Sequence, residues 1–382
     1  MKVALVAGES SGDQLGAALI TALRARVPEL QCFGVAGPRM VAAGCEAWVP
    51  SEELAVMGLV EVLQHLPRLL SLRRELVRRI AAAQPDVFVG IDSPEFNLGL
   101  AAKLKARGLR TVQYVSPQVW AWRQGRVKTI GRSVDLVLCL LPFETEFYER
   151  HGVAAEFVGH PLADLIPMEP DRAAARRLIG ADPDAPLVGL LPGSRVGEVE
   201  RLGPDFIAAA AWLAARKPGL RFIAPMASSR VRALFESQLA AVPGAPPIRV
   251  IDGQSHAVLA AADGALIASG TATLEGLLSK CPMVVAYRLG AVTAFLLRGL
   301  GMVKVPYFAQ PNLLIGRKLV PELFQEEVSG PSLGAALLEE LEPPQRAEEL
   351  RNEFRRVHQT LRLGGAERAA AAILGRLQVA TA

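Results

Sequence analysis

The sequence predicts an α/β protein with two parallel sheets, and three observations predict it. Short apolar runs typical of buried strands alternate with helical patterns along almost the whole chain. This alternation occurs in two similar halves, joined by the proline-rich GHPLADLIPMEPDRAAARR and the acidic GADPDAP. At 382 residues the chain is also long for a single core. The predicted strands are Val3–Val6, Cys32–Val35, Val87–Ile91, Thr111–Val115, Leu136–Leu140, Glu156–Val158, Leu187–Leu191, Phe222–Pro225, Ile248–Ile251, Ala265–Ala268 and Met283–Tyr287.

We expect the chain to fold as three segments. Residues 1–165 form a first domain, residues 166–342 a second, and residues 343–382 a helical tail. The tail pattern predicts two amphipathic helices hinged at Gly364 and Gly365, which have to pack either on the first domain or on a second subunit. Two hinged α/β domains would form a cleft lined by loops at the carboxyl ends of strands, where open α/β sheets bind ligands.

Composition excludes several classes of protein. Hydrophobic residues make up 51% of the chain and charged residues 21%, which is typical of a folded protein and not of a disordered one. The strongest apolar run, VDLVLCLLPF, is too short to span a membrane, and the N-terminus lacks a signal-peptide pattern, so we expect a cytoplasmic protein. A net charge of +4 suits acidic ligands or an anionic membrane surface and is too small to indicate nucleic acid.

Cysteine and histidine give no sign of a metal site. The four cysteines lack C-x-x-C spacing and the five histidines do not cluster, so we expect reduced core thiols, no metal and no other cofactor. The cysteines are Cys32, Cys45, Cys139 and Cys281.

A glycine-rich turn, GESSGDQLG, follows the first strand. Gly8, Gly12 and Gly16 fall every fourth residue, which matches neither the dinucleotide fingerprint nor the phosphate loop of nucleotide triphosphatases. Backbone N–H groups at a helix start nevertheless favour an anion or a hydroxyl-rich ligand.

An acidic residue ends the strand in DVFVGIDSPEFN. Asp92 stands where a side chain would face the predicted cleft, and a proline follows two residues later. The alternative is a helix cap supplied by Asp92 or Ser93, since either residue before Pro-Glu is a common helix start. Because Ser93 could supply the cap, we favour a functional Asp92.

The second half repeats this logic in LVGLLPGSRVGEVE. Gly193 lets the backbone approach a ligand, Ser194 can cap the helix, and Arg195 presents a positive fork suited to phosphate. The alternative is a simple ion pair from Arg195 to Glu198 or Glu200. We favour an anion site, because a cation in the first helical turn opposes the helix dipole.

A second candidate loop in the same half is LIASGTATLEGLL. Backbone N–H groups around Ser269, Gly270 and Thr271 could bind a pyrophosphate, and Glu275 could accept the two hydroxyls of a ribose. The S-G-T sequence is also an ordinary cap, so the loop indicates a site only together with the arginine loop. Both loops fit a sugar nucleotide.

Aromatic residues concentrate in YVSPQVWAWRQGR. We expect Trp120 to lie in the core, whereas Trp122 and Arg123 could edge the predicted cleft.

A basic, leucine-rich helix is predicted from MGLVEVLQHLPRLLSLRRELVRRI. Such a stripe is typical of core packing, and it can also rest on an anionic bilayer with the apolar AFLLRGLGMVKVPYF as a companion surface; periodicity does not separate the two. The apolar positions are Leu59, Leu63, Leu66, Leu70 and Val77, opposite Arg68, Arg78 and Arg79.

These motifs together resemble the lipid-A-disaccharide synthase family. VAGESSGDQLGA, GVAGPRM, ELAVMGLVEVL, VFVGIDSPEFN, YVSPQVWAWRQGRV, LPFE, LLPGSR, SGTATLE, KCPMVV and PNLLIGR follow one another in the family's order. The resemblance runs from the first strand to about Glu327, and the tail is similar only in its helical character.

The resemblance implies a GT-B fold, with two Rossmann-like domains facing across a cleft and C-terminal helices. It also implies an inverting, metal-independent glycosyltransferase of lipid A assembly. This enzyme would join the sugar of UDP-2,3-diacylglucosamine to the 6-hydroxyl of 2,3-diacylglucosamine 1-phosphate and release UDP. It would act as a peripheral enzyme on the cytoplasmic face of the inner membrane, and a homodimer through the C-terminal helices is an open alternative.

Particular residues are implied by the same resemblance. Asp92 matches the catalytic carboxylate and Arg195 the phosphate-binding arginine, with Gly193 and Ser194 beside it. The residues implied around UDP are Ser269, Gly270, Thr271, Glu275 and Asn312, and those implied on the acceptor side are Gly8, Glu9, Ser11, Gly12, Trp122 and Arg123.

Two other functions stay open at this point. A UDP-N-acetylglucosamine 2-epimerase of the same architecture would use similar UDP loops on a non-acylated substrate. A membrane-associated UDP-sugar-binding protein without catalysis would bind an acyl donor but would not turn it over.

Overall fold

The computed structural model describes residues 1–54, 59–121, 124–290 and 306–378, with the side chains of residues 59–65, 344 and 378 left out. The chain divides into two compact units. Unit 1 comprises Met1–Asp164 and Leu361–Ala382, and unit 2 comprises Leu165–Thr360.

Unit 1 is built on a seven-stranded parallel sheet in the order β3-β2-β1-β4-β5-β6-β7. Its strands are β1 (Lys2–Ala7), β2 (Gln31–Ala36), β3 (Cys45–Pro50), β4 (Val87–Ile91), β5 (Thr111–Tyr114), β6 (Leu136–Cys139) and β7 (Ala155–Phe157). The helices of this part of the chain are α1 (Ser10–Arg26), α2 (Pro38–Ala42), α3 (Leu59–Ala83), α4 (Pro94–Lys105), α5 (Val127–Ser133), α6 (Pro142–Glu149) and α7 (Pro161–Leu165).

The sheet of unit 1 is covered by helices on both faces. Val3 and Leu5 of β1 pack into a core with Leu19 of α1, whereas Ala4 and Val6 pack into a second core with residues of α3 and α4. Alternate residues of one strand therefore face two cores, which is why β1 and β4 read as continuous apolar runs. Parallel pairing also aligns the ends of neighbouring strands, with Ala7 opposite Ile91.

Unit 2 repeats the design with a six-stranded parallel sheet in the order β10-β9-β8-β11-β12-β13. Its strands are β8 (Leu187–Leu191), β9 (Arg221–Met226), β10 (Ile248–Asp252), β11 (Gly264–Ala268), β12 (Met283–Tyr287) and β13 (Glu322–Phe324). The helices after α7 are α8 (Arg172–Ile179), α9 (Val196–Arg216), α10 (Ser229–Ala240), α11 (Ser255–Ala261), α12 (Thr271–Leu278), α13 (Gln310–Ile315), α14 (Gly330–Leu341), α15 (Pro344–Leu361) and α16 (Gly365–Gln378).

The two helices of the predicted tail belong to different units. Leu350 and Phe354 of α15 are fully buried within unit 2. Helix α16 instead packs in the core of unit 1 through Ile373, and both carboxylate oxygens of Asp164 accept hydrogen bonds from N–H groups at its start. The structure thus divides the predicted segment 343–382 at Leu361, because α15 belongs to unit 2 and α16 packs in the core of unit 1.

The predicted fold class, two parallel α/β sheets with helices, is confirmed. Each predicted strand is present within one or two residues of its expected bounds, and β3 and β13 are additional short edge strands. None of the helices in the described ranges combines the length and hydrophobicity that crossing a bilayer requires.

Candidate functional site

The strand β4 ends in a strained turn that carries Asp92. Asp92 and Ser93 are both left-handed, with φ of 51° and 39°, a conformation that residues other than glycine rarely adopt. The carbonyl oxygen of Asp92 accepts hydrogen bonds from Asn97 Nδ2 at 2.9 Å and Gln113 Nε2 at 3.0 Å. The turn is therefore held from two directions.

The carboxylate of Asp92 is half-buried and is not used as a helix cap. Ser93 stands at the N-cap of α4, and its side chain makes no capping hydrogen bond. Within the described ranges no hydrogen bond or ion pair to the Asp92 carboxylate is found. The cap alternative therefore has no side-chain contact to support it among the described residues.

The glycine turn after β1 lies directly beside this carboxylate turn. A Cβ at Gly8 would lie 2.5 Å from Ser93 Oγ, so only glycine lets the two turns approach. Gly12 is buried against Ile91, while Glu9 and Ser11 are exposed at the start of α1. The structure thus brings the predicted acceptor-side residues of the first turn next to Asp92.

Asp13, in the same glycine turn, has a structural role that sequence reasoning missed. Its buried carboxylate accepts hydrogen bonds from the N–H groups of Arg39 at 2.9 Å and Met40 at 3.0 Å. These donors belong to the first turn of α2, where a carboxylate is favoured. Asp13 therefore holds the glycine turn against the start of α2.

The aromatic segment after β5 is anchored by a buried acid. Trp120 is half-buried against the core, and its indole N–H donates to Glu144 Oε1 at 3.0 Å. The second carboxylate oxygen of Glu144 accepts from the N–H of Leu141 at 3.0 Å. Burial raises the pKa of Glu144 to about 7. The predicted Trp122 and Arg123 lie outside the described residues.

In unit 2 the arginine loop follows β8. Gly193 has φ of 136°, and a Cβ there would lie 2.4 Å from that of Glu198. The carboxylate of Glu198 accepts from the N–H groups of Ser194 at 2.9 Å and Arg195 at 3.3 Å. Its other oxygen pairs with Arg195 Nη1 at 3.0 Å, which is the ion pair that the alternative interpretation expected. The Arg195 side chain stays 73% exposed, so an incoming anion can reach it.

The second loop of unit 2 follows the neighbouring strand, β11. Ser269 Oγ donates to the carbonyl of Phe308 at 3.1 Å, and Gly270, with φ of 152°, precedes α12. Thr271 opens α12 and is exposed. Glu275 accepts from Ser255 Oγ at 3.2 Å, so its carboxylate already has a partner. Because β8 and β11 are adjacent, this loop and the arginine loop meet at one sheet edge.

Asn312, which the resemblance implies around UDP, has a side chain that is hydrogen-bonded within the protein. It is fully buried, and its amide group donates to the carbonyl of Val320 at 2.9 Å and to Glu322 Oε1 at 2.8 Å. Its oxygen accepts from the N–H groups of Leu319 and Val320. All four hydrogen bonds that an amide can make are thus filled by the protein. Asn312 instead shapes the segment around Phe308, whose N–H donates to Glu322.

The side chains in the described ranges form no group of three or more His, Cys, Asp or Glu that could hold a metal ion. All four cysteines are free and buried, as the sequence predicted. Burial raises the pKa of the thiols, to about 11 for Cys32 and about 12 for Cys281, so they are protonated at neutral pH.

Fold and loops together define the GT-B class of nucleotide-sugar enzymes. The UDP-GlcNAc 2-epimerase from Neisseria meningitidis, solved bound to UDP-GlcNAc, is similar with a TM-score of 0.67 at 12% identity, covering 98% of this chain and 100% of that one. CalG4, the calicheamicin glycosyltransferase, is similar with a TM-score of 0.61 at 18% identity, covering 100% and 99%. These likenesses concern the fold alone.

The chain belongs to the lipid-A-disaccharide synthase family. The family model described as lipid-A-disaccharide synthetase matches residues 3–374. The lipid-A-disaccharide synthase of Alkalilimnicola ehrlichii is 54% identical over 376 residues, covering 98% of each chain. This confirms the resemblance that the motifs predicted, and the match extends beyond Glu327 into α16.

The buried Glu144 generates a prediction about pH and stability. Its folded-state pKa of about 7 lies above the ordinary value of 4.5, so the folded protein holds an extra proton between these pH values. The stability that this adds is present below pH 4.5 and is lost as the pH rises through about 7. Relative to Glu144→Gln, the wild type should lose on the order of 3 kcal/mol of unfolding free energy from pH 4.5 to pH 8.

Urea unfolding of both proteins at pH 4.5 and pH 8 checks this shift. Glu146→Gln, on the same helix but exposed and paired with Arg150, is the control and should show no comparable change. A difference between wild type and Glu144→Gln that stays constant with pH would contradict the assignment.

Proposed function

We propose that this chain is the inverting glycosyltransferase that condenses UDP-2,3-diacylglucosamine with 2,3-diacylglucosamine 1-phosphate, releasing UDP. The observation that carries the proposal is full-length membership of the lipid-A-disaccharide synthase family, with 54% identity to a relative of that name over 98% of both chains. The site geometry of each unit supports it and suggests which residues act.

Asp92 is the proposed general base. The acceptor 6-hydroxyl oxygen attacks the anomeric carbon of the donor sugar, and its proton passes to the Asp92 carboxylate. The bond from that carbon to the phosphate oxygen breaks, and its electron pair leaves on UDP. A half-buried carboxylate without a described partner, at the carboxyl end of a central strand, suits this role.

Arg195 and the turn from Ser269 to Thr271 are the proposed donor side. Negative charge grows on the diphosphate as UDP leaves, and a guanidinium with helix N–H groups stabilises such charge. The exposed Arg195 would exchange its pair with Glu198 for the diphosphate. In this proposal the side chain of Asn312 shapes the segment around Phe308 and does not itself contact UDP.

The proposal includes peripheral association with the cytoplasmic face of the inner membrane. Leu66 and Leu70 of α3 are 42% and 38% exposed, and Arg74, one turn after Leu70, is exposed as well. An apolar and basic stripe of this kind suits an anionic bilayer. The companion segment AFLLRGLGMVKVPYF falls at residues 294–308, largely outside the described residues. A homodimer through the C-terminal helices stays a prediction beside this proposal.

The epimerase alternative gains no support beyond the fold. The similar epimerase is 12% identical to this chain, a level at which transferases and epimerases share one architecture. An epimerase would act on a non-acylated UDP-sugar, so an assay with that compound separates the two functions.

Turnover of Asp92→Asn tests the proposed function. Wild-type protein incubated with both acylated substrates should form the disaccharide phosphate and UDP. Asparagine keeps the size of Asp92 and cannot accept the proton, so turnover should fall by roughly a hundred- to ten-thousand-fold. UDP affinity and melting temperature should hardly change. Both substrates are supplied at saturating concentration.

Asp86→Asn is the matched control at the opposite end of β4. The Asp86 carboxylate accepts a hydrogen bond from the backbone N–H of Lys2 at 2.7 Å. Its replacement should leave turnover unaffected. Near-normal turnover of Asp92→Asn would remove it as the base, and release of a free amino sugar from a non-acylated donor would favour the epimerase.

Arg195→Ala should lose activity mainly through the diphosphate. One missing charge-stabilising contact of this kind is worth about 3 kcal/mol, roughly a hundred-fold in rate. Arg232→Ala, which breaks an ion pair with Glu236 elsewhere in unit 2, should keep full activity. UDP affinity is measured by calorimetry alongside turnover. If Arg195→Ala is active with unchanged UDP affinity, the ion pair with Glu198 is all that Arg195 provides.

Replacing Leu66 and Leu70 with serine should weaken binding to anionic vesicles while the fold is kept, because both side chains are exposed. Vesicle flotation and circular dichroism measure the two properties. The double replacement of Leu165 and Leu178, at 61% and 69% exposure, is the matched control and should float like the wild type. Equal flotation of the α3 variant and the wild type would exclude this stripe as a membrane contact.

A further inference from the structure

Two fully buried amides converge on the backbone carbonyl of Asp92. Asn97 Nδ2, from α4, donates to it at 2.9 Å, and Gln113 Nε2, from β5, donates to it at 3.0 Å. Both side chains are 0% exposed. A polar residue within the buried strand TVQY is unusual, so its contacts call for an explanation.

The surroundings determine which way each amide points. The nitrogen of Asn97 also contacts the carbonyls of Val6 and Ile91, each at 3.2 Å. The nitrogen of Gln113 contacts the carbonyls of Tyr114 at 3.4 Å and Val115 at 3.3 Å. Carbonyls only accept hydrogen bonds, so the donor end of each amide has to face them.

The amide oxygens of the same two residues lack hydrogen bonds, which is a cost to stability. Asn97 Oδ1 and Gln113 Oε1 are buried and have no hydrogen-bond partner among the described residues. An unpaired buried oxygen destabilises the fold. Amides that serve packing alone would be better replaced by apolar side chains, so their donor groups have a specific use.

Gly90 makes the arrangement possible. A Cβ on Gly90 would lie 2.8 Å from that of Asn97 and 3.1 Å from Gln113 Oε1. Gly90 and Gln113 are partners in the β4 and β5 register. A side chain on Gly90 would thus displace both amides.

The backbone that the amides hold is strained. Asp92 and Ser93 are left-handed, and Val115, whose carbonyl Gln113 also holds, has φ of 79°. A β-branched residue in this region is an outlier that persists only where its surroundings impose it. Asn97 joins the ends of β1 and β4, and Gln113 joins the ends of β4 and β5.

We propose that Asn97 and Gln113 are positioning residues that hold the left-handed Asp92 turn and so aim its carboxylate at the acceptor hydroxyl. This inference rests on the proposed function of Asp92 as the base. The two amides act through the backbone, and neither touches substrate.

Gln113→Met is the sharpest test, because methionine matches glutamine in shape and lacks the donor. The other two hydrogen bonds of the Gln113 side chain go to the carbonyls of Tyr114 and Val115, at the end of β5. We expect kcat to fall about ten- to a hundred-fold, since a misplaced reacting group has such an effect, with the KM of the UDP donor unchanged. Thr111→Val is the control, because Thr111 is equally buried at the other end of β5 and bonds the carbonyl of Ser133. Thr111→Val should keep the wild-type kcat, although its melting temperature should be similar to that of Gln113→Met.

Combining Gln113→Met with Asp92→Asn separates positioning from general structural damage. If Gln113 acts through Asp92, the double variant should be no slower than Asp92→Asn alone. A further loss of the same size in the double variant, or wild-type kcat in Gln113→Met, overturns the inference and leaves Asp92 as the base. Wild-type turnover in Asp92→Asn removes Asp92 as the base and overturns this inference with it, whereas the transferase function itself fails only if the wild type forms no disaccharide phosphate.

Gly90→Ala gives an independent test if Gln113→Met does not fold. It keeps every polar group and only pushes the amides aside. We expect a lower kcat with unchanged donor KM, and a folded Gly90→Ala enzyme with wild-type kcat would overturn the inference.

Discussion

Parallel strand pairing is the constraint on which both units depend. The central strands are buried on both faces, so most of their side chains are apolar, as in β4, β8 and β11. Crossover helices cover both faces and return the chain to the same edge. Polar side chains available to a ligand then fall mainly where strands end, and all carboxyl ends of one sheet meet at one edge. Asp92 in unit 1 and the arginine loop in unit 2 both lie at such ends.

The two units shape their loops by different means. In the two candidate loops of unit 2 the positive φ angles fall on Gly193 and Gly270, which adopt them without steric cost. Around the Asp92 turn of unit 1 they fall on Asp92, Ser93 and Val115, each of which costs about 1–3 kcal/mol in such a conformation. A chain that needs a carboxylate at a sharp turn cannot use glycine there. The strain has to be balanced by contacts around the turn. The residues that make these contacts therefore show how the conformation of Asp92 is maintained.

The sequence predicts most of the fold, because a buried strand shows itself as an apolar run. It misses β3 and β13, whose edge positions leave most of their residues partly or fully exposed and break that pattern. Asp92 can be predicted because it ends such a run. Gln113 cannot, since its bond to Asp92 joins residues 21 positions apart and depends on register. For Asn312 the resemblance supplied a place near UDP, whereas the direction of the side chain is decided by tertiary contacts.

Transferases and epimerases share this fold, so function has to be decided by the loops and not by the sheets. Both classes need a diphosphate site, and the loops of unit 2 would serve either one. The difference must therefore lie in unit 1, where a transferase needs one carboxylate aimed at a second substrate. In the proposed function the half-buried Asp92, on a turn that packs against the glycine turn after β1, meets that need. An epimerase has to exchange protons on one sugar and requires an acid and a base around it. Under the proposed function, Asp92 at the β4 turn is the carboxylate that serves transfer, and its exchange for asparagine is the change that distinguishes the two reactions.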